Sequence, residues 1–203
     1  MQATEILMQE HRIIEQALAA LEGMAALAVQ EHRLNTEHGR QVVSFIRGYA
    51  DRFHHAKEED LLFVEMEAAG FSRQGGPLAV MLHEHDVGRA LVGRMAGAIE
   101  QVAVGDPKAP HVFSDSAMQF ATMLRGHIQK EDNILYPMAD DVLSQASQDR
   151  LVADFAKAEE AQGGKTARDQ FVSAAALLAS LYAALSPQQA HPRGDGLGCG
   201  HLC

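Results

Sequence analysis

The chain repeats itself weakly, and the repeat dictates an even-numbered arrangement of elements. Met8-Gln-Glu-His11 returns as Leu82-His-Glu-His85, displaced by 74 residues. His54-His-Ala-Lys-Glu58-Glu-Asp-Leu-Leu-Phe63 returns as His127-Ile-Gln-Lys-Glu131-Asp-Asn-Ile-Leu-Tyr136, displaced by 73. Each half supplies one lone histidine followed by one His-x-x-x-Glu unit, so the first two elements resemble the next two.

Those elements read as helices. Before residue 186, Ala, Leu, Met, Glu, Gln and Arg dominate, and alternating β-branched or aromatic runs are missing. A first helix is expected after Thr4 as N-cap, with Leu7, Ile14, Leu18 and Leu21 on its apolar stripe, to about Val29. A second, with Thr36 as its capping candidate, carries Val43, Ile46, Ala50, Leu61 and Leu62 and stops at Gly70. Pro77 opens a third that holds Met81, Leu91, Val92 and Ile99. Pro110 closes the next linker, and Ser114 or Asp115 caps a fourth with Phe120, Met123, Leu124, Ile128, Ile134 and Leu135. Pro137 should kink or end it. Two shorter helices over 149–162 and 166–185 are divided by Gly163-Gly164.

The expected fold is therefore all-α: an antiparallel up-down four-helix bundle over residues 1–140, two short C-terminal helices packed on it over 141–185, and a flexible tail over 186–203. That tail contains Cys199, His201 and Cys203, either a metal or electron-transfer site or incidental thiols in an unstructured segment.

Helical projection selects six donors. At about 100° per residue, both members of a His-x-x-x-Glu face one way. His54 and Glu58 fall in the stripe of Val43, Ala50 and Leu61, and His127 and Glu131 in that of Phe120, Leu124 and Ile134. His11 lies with Leu7, Ile14 and Leu18, and His85 with Leu78, Met81 and Val92. His55, Glu59 and His83 project away, and His111 falls in a linker. Glu15 is a seventh donor, an acceptor behind His11, or a solvated edge residue. Tyr49 and Tyr136 pack in the core or hydrogen-bond a ligand.

Eleven histidines in 203 residues, with no Trp and three Tyr, ask for a chemical reason. One histidine on an apolar face is ordinarily bonded to a carbonyl. Six donors arranged by a repeat are different, because an ionised Glu in an apolar core must be paired, metal-bound or protonated. No Lys or Arg is expected at the depth of Glu58 and Glu131. Six donors are too many for one structural zinc, and four imidazoles do not suit calcium or magnesium. Two first-row ions fit, iron first by ligand type. Bridging carboxylates, imidazoles and a bridging oxo, hydroxo or water leave coordination positions for dioxygen, nitric oxide or peroxide.

The composition excludes other classes. With 17 Lys plus Arg against 27 Asp plus Glu, the net charge of −10 argues against nucleic acid and anionic membranes as partners. No run approaches about 20 uninterrupted apolar residues, and no signal-peptide core precedes Glu5, Glu10 and Arg12. A cytoplasmic monomer or homodimer is expected.

The segments Glu10-His11, His54-x-x-x-Glu58-Glu-Asp-Leu-Leu-Phe63, Met81-Leu-His-Glu-His85-Asp-x-Gly-Arg89 and His127-x-x-x-Glu131-x-x-x-x-Tyr136-Pro137 resemble the hemerythrin-like, HHE cation-binding proteins. The resemblance implies a four-helix bundle with a non-heme di-iron centre held by His11, His54, Glu58, His85, His127 and Glu131, the two glutamates bridging. Two departures stand out. Oxygen-carrying members have a second third-helix histidine where this chain has Arg89, and an aspartate in the last motif where it has the nearer Glu131. The likeness is thus to bacterial members linked to nitric oxide or peroxide responses, iron handling and cluster repair. Three functions follow: binding or sensing dioxygen, nitric oxide or peroxide; enzymatic consumption of peroxide or nitric oxide; and iron storage or donation for iron–sulfur repair. Each needs a redox partner or recipient that the residues do not name.

Overall fold

The computed structural model describes residues 2–186, so Cys199, His201 and Cys203 lie outside the described residues. Among the described residues there are helices and no strand. The first rod is α1 (Ala3–Glu31). The second runs without a break through α2 (Thr36–Phe45), two π-helical stretches, π1 (Ile46–His55) and π2 (Glu58–Leu62), and α3 (Phe63–Ala68). The third is α4 (Gly76–Ala103), and the fourth is α5 (Ala109–Lys130), a π-helical turn π3 (Glu131–Leu135) and α6 (Tyr136–Val142). Then α7 (Gln145–Ala161) and α8 (Gly164–Tyr182) pack against the bundle, parted by Gly163 and Gly164 at positive φ.

Local chemistry moves several expected boundaries. Thr4 is not a cap: it lies inside α1, buried, and its hydroxyl donates to Asp140 at 2.9 Å. The start of α1 is closed by Glu5, which accepts from the Gln2 N–H at 2.9 Å. Asn35, one residue before Thr36, caps α2 by accepting from the His38 N–H at 3.1 Å. Pro110 opens α5 rather than closing a linker, because its missing N–H costs nothing in a first turn. Ser114 and Asp115 therefore lie inside that helix, and His111 stands on its exposed first turn.

Pro137 does not end the fourth rod. It sits just after π3, where the backbone is already widened, and the helix runs on through Val142. The π segments also shift the apolar stripe. At α-helical spacing Leu61 and Ile134 should face the core. Instead Leu62 is fully buried and Ile134 is 54% exposed while Leu135 is buried.

Two apolar clusters fill the bundle. One gathers Leu18, Val43, Tyr49, Met95, Phe120 and Leu124 with Leu178 of α8. The other gathers Leu7, Phe63, Met81, Leu135 and Tyr136 with Phe155 of α7. Gly23 shows how closely the end of α8 sits on α1, since a Cβ there would lie 1.9 Å from the Tyr182 carbonyl oxygen. By length and mean hydropathy alone, α1 is apolar enough to cross a membrane, but 56% of that window is buried inside the bundle. Along each rod, the candidate donors fall between the two apolar clusters.

Candidate metal centre

Each of the six predicted donors is buried. The four rods bring them into two imidazole pairs. His11 Nε2 lies 3.0 Å from His54 Nε2, and His85 Nε2 lies 3.1 Å from His127 Nε2. The two carboxylates stand between the pairs. Glu131 Oε2 is 3.3 Å from His11 Nε2 and its Oε1 is 3.0 Å from His127 Nε2. Glu58 Oε2 is 3.8 Å from His54 Nε2 and 3.5 Å from His85 Nε2.

Every imidazole is held from behind by a carboxylate on Nδ1. Asp132 accepts from His11 at 2.7 Å, Glu10 from His54 at 3.0 Å, Glu59 from His85 at 2.6 Å and Glu84 from His127 at 2.9 Å. The pattern follows the repeat and crosses it. The residue before each lone histidine (Glu10, Glu84) holds the histidine of its own half's His-x-x-x-Glu. The residue after each glutamate (Glu59, Asp132) holds the lone histidine of the opposite half. Lys57 and Lys130, each preceding its glutamate, close the circuit on Glu10 and Glu84.

This arrangement fits a pair of cations. With Nδ1–H committed to a carboxylate, a neutral imidazole presents a lone pair at Nε2. Two such lone pairs then face each other 3.0 Å apart, which is repulsive unless a cation lies between them. Imidazole nitrogens at about 2.1 Å from one ion and at right angles would be about 3.0 Å apart. Glu58 Oε2 and both oxygens of Glu131 are buried with no hydrogen-bond donor among the described residues. Such orphaned carboxylate oxygens need a counter-charge.

The titration behaviour of the metal-free chain carries the same message. Burial, and then the neighbouring Glu131, hold the Glu58 carboxyl well above its usual range. Burial pushes Glu131 the same way, but His127 and His11 overcome it and hold it well below. Burial also works against His127, yet Glu131 and Glu84 push it up to about 9, while burial and the nearby His11 push His54 well down. Without a cation, protons take its place.

Several residues depart from the expected facing. His55 and Glu59 do not project away. The π turn subtends a smaller angle per residue, His55 is 8% exposed, and donor atoms of His55, Glu58, His85 and His127 lie within 4.8 Å of one another. The other such group is His11, His54, Glu58 and Glu131. The His55 ring stacks on His85 at 3.9 Å with planes 14° apart. In-plane lone pairs of two parallel rings cannot converge on one ion, so His55 borders the site instead of completing it. Its Nδ1 has no hydrogen-bond partner among the described residues. Lys57 is buried after all, but its ammonium is engaged by Glu10 and lies over the Phe53 ring at 4.2 Å, leaving Glu58 and Glu131 unpaired. Glu15 pairs with Arg12 at 2.9 Å and joins neither donor group. Arg89 turns outward to Asp51, Asp86 and Glu59, so it steadies the acceptor of His85. Tyr136 donates to Glu58 Oε1 at 2.6 Å and stacks on His11. The carboxylates behind the imidazoles were legible, since Glu10, Glu84, Glu59, Asp132 and the lysines all recur in the repeat. Apolar-stripe projection passes over them because they stand at its edge.

A helical bundle whose core carries two buried His/Glu groups suited to a binuclear metal site defines the class of cation-binding helical bundles. Residues 2–139 match the hemerythrin HHE cation binding domain, and the chain belongs to that family. Uncharacterized proteins of Mycobacterium tuberculosis and Mycobacterium bovis are each 26% identical over 147 residues, covering 70% of this chain and 55% of theirs. The chain thus spans about half the length of the curated relatives it matches. No solved structure matches it significantly.

Proposed function

We propose that the chain is a non-heme di-iron protein that binds or senses dioxygen, nitric oxide or peroxide. His11 and His54 would hold one ion and His85 and His127 the other, with Glu58 and Glu131 bridging. The reading is carried by the facing Nε2 pairs at 3.0 and 3.1 Å, each backed by carboxylates on Nδ1. Iron suits imidazole with carboxylate, and bound there it would supply Lewis acidity and one-electron chemistry to an exogenous ligand. The chain's own residues do the rest. The Nδ1 acceptors fix tautomer and ring orientation, and Tyr136 aims Glu58. A cavity of about 210 Å³ reaches His55, His85 and His127, giving a small molecule access to the second pair.

Anaerobic addition of ferrous iron followed by air should load two irons per chain and produce near-ultraviolet charge-transfer absorption. Uptake of no more than one iron per chain sinks the reading. The cavity also favours an enzymatic variant that consumes peroxide or nitric oxide. Sustained turnover by the iron-loaded chain supports it, and loss limited to a single stoichiometric event counts against it.

A further inference from the structure

The cavity beside His85 and His127 is too large for a diatomic molecule. Its volume of about 210 Å³ corresponds to roughly seven waters at about 30 Å³ each. Dioxygen, nitric oxide or hydrogen peroxide needs the space of one or two. Gly88 on α4 occupies the position that Ile14 occupies in the first half, and Ile14 is buried core. A Cβ on Gly88 would meet the Met123 methyl at 3.2 Å and the Phe120 ring at 3.5 Å, so the glycine lets α5 lie close against α4 along one wall of the cavity.

The chemistry of the walls is divided. Ile46, Val92, Phe120 and Leu124 form an apolar body with His55, His85 and His127 beneath, and the carboxylates in the wall, Asp51 and Glu84, are paired with Arg89 and Lys130. His55 Nδ1 makes no hydrogen bond among the described residues, but Asp51 Oδ1 stands 3.6 Å from it. Arg47, Arg52 and Arg89 also line the space, and all three are exposed. Arg89 is neutralised by Asp51, Asp86 and Glu59, but among the described residues Arg47 and Arg52 have no carboxylate partner. In a chain of net charge −10, two unpaired arginines at one opening create a local attraction for anions.

We propose that this cavity is a binding site for a small organic carboxylate, an anionic oxygen head on an apolar body of several carbons, seated with its head toward the second metal position. The inference rests on the di-metal reading above and adds the class of exogenous ligand. The head would face the cation held by His85 and His127, the body fills the space among Val92, Phe120 and Leu124, and Arg47 and Arg52 draw the anion in.

Benzoate, acetate and azide are titrated into the full chain loaded with divalent cobalt, followed by calorimetry and by the visible cobalt bands, after metal analysis of the loaded protein. Benzoate should bind at one site per chain at least about tenfold more tightly than acetate or azide, and should shift the cobalt bands. Val92→Phe, which fills the apolar part of the cavity, should abolish the preference for benzoate while leaving the cobalt content in place. The surface pair Arg47→Glu with Arg52→Glu should weaken benzoate at least severalfold and lessen the salt dependence of binding, with no change in fold. Equal affinity for benzoate and acetate, or full benzoate binding in both variants, overturns the proposal alone. Failure to take up cobalt overturns the metal reading and this proposal together.

Discussion

The two halves of the bundle build the same site from the same residues, yet they treat it differently. In the first half Lys57 is fully buried and paired with Glu10; in the second, Lys130 is 38% exposed and pairs with Glu84. Tyr136 stacks on His11 and binds Glu58, whereas its counterpart Phe63 stacks on His85 with no hydroxyl to offer Glu131. Ile14 packs in the core where Gly88 lines a cavity, and the position of His55 is occupied by Ile128 in the other half. Duplication supplies a symmetric cage of donors. Divergence at the positions between them leaves the first end packed and the second beside a cavity, the asymmetry on which the proposed ligand binding rests.

The sharpest way to break this comparison is to delete one imidazole at each end. His11→Gly and His85→Gly should each lose about one of two ions, read by metal analysis, and added imidazole should restore the ion only in His85→Gly, where the cavity admits it. Equal rescue at both ends would remove the distinction between closed and open.

The paired lysines come next. Lys57→Met strands the buried Glu10 carboxylate and should cost about 3–5 kcal/mol in denaturant unfolding. Lys130→Met, at a half-exposed pair, should cost at most about 1 kcal/mol.

A smaller effect follows from His127, whose pKa in the metal-free chain is pushed up to about 9, from 6.5, by Glu131 and Glu84 against the cost of burial. The folded chain holds this proton more tightly than the unfolded one, so its stabilisation is full below 6.5 and lost as the pH rises through about 9. The metal-free melting temperature should fall by several degrees across that window. Apparent metal affinity should climb through the same window because the cation displaces the proton. Parallel falls in stability for the metal-free and metal-loaded chains would contradict this. The smallest effect is expected from Tyr136→Phe, which makes the halves alike and removes one hydrogen bond, at about 1 kcal/mol in unfolding and with no loss of metal stoichiometry.

The helical class, the order of the four rods, and the six His and Glu side chains that converge in the core were legible in the sequence. Periodicity and repetition are local or self-referential patterns, and a buried carboxylate in an apolar stripe announces itself through its cost. Tertiary structure decided what lay beyond a 3.6-residue period. The π turns at Glu58 and Glu131 carried Leu62 and Leu135 inward and turned Ile134 out, and the π stretch ending at His55 brought that residue to the edge of the site. It also decided which carboxylate holds which imidazole, because Asp132 serves His11 and Glu59 serves His85 across the bundle, between residues 121 and 26 positions apart. Such pairings depend on how the rods are set against one another in three dimensions, and so does the cavity beside His85 and His127, whose walls come from three of the rods.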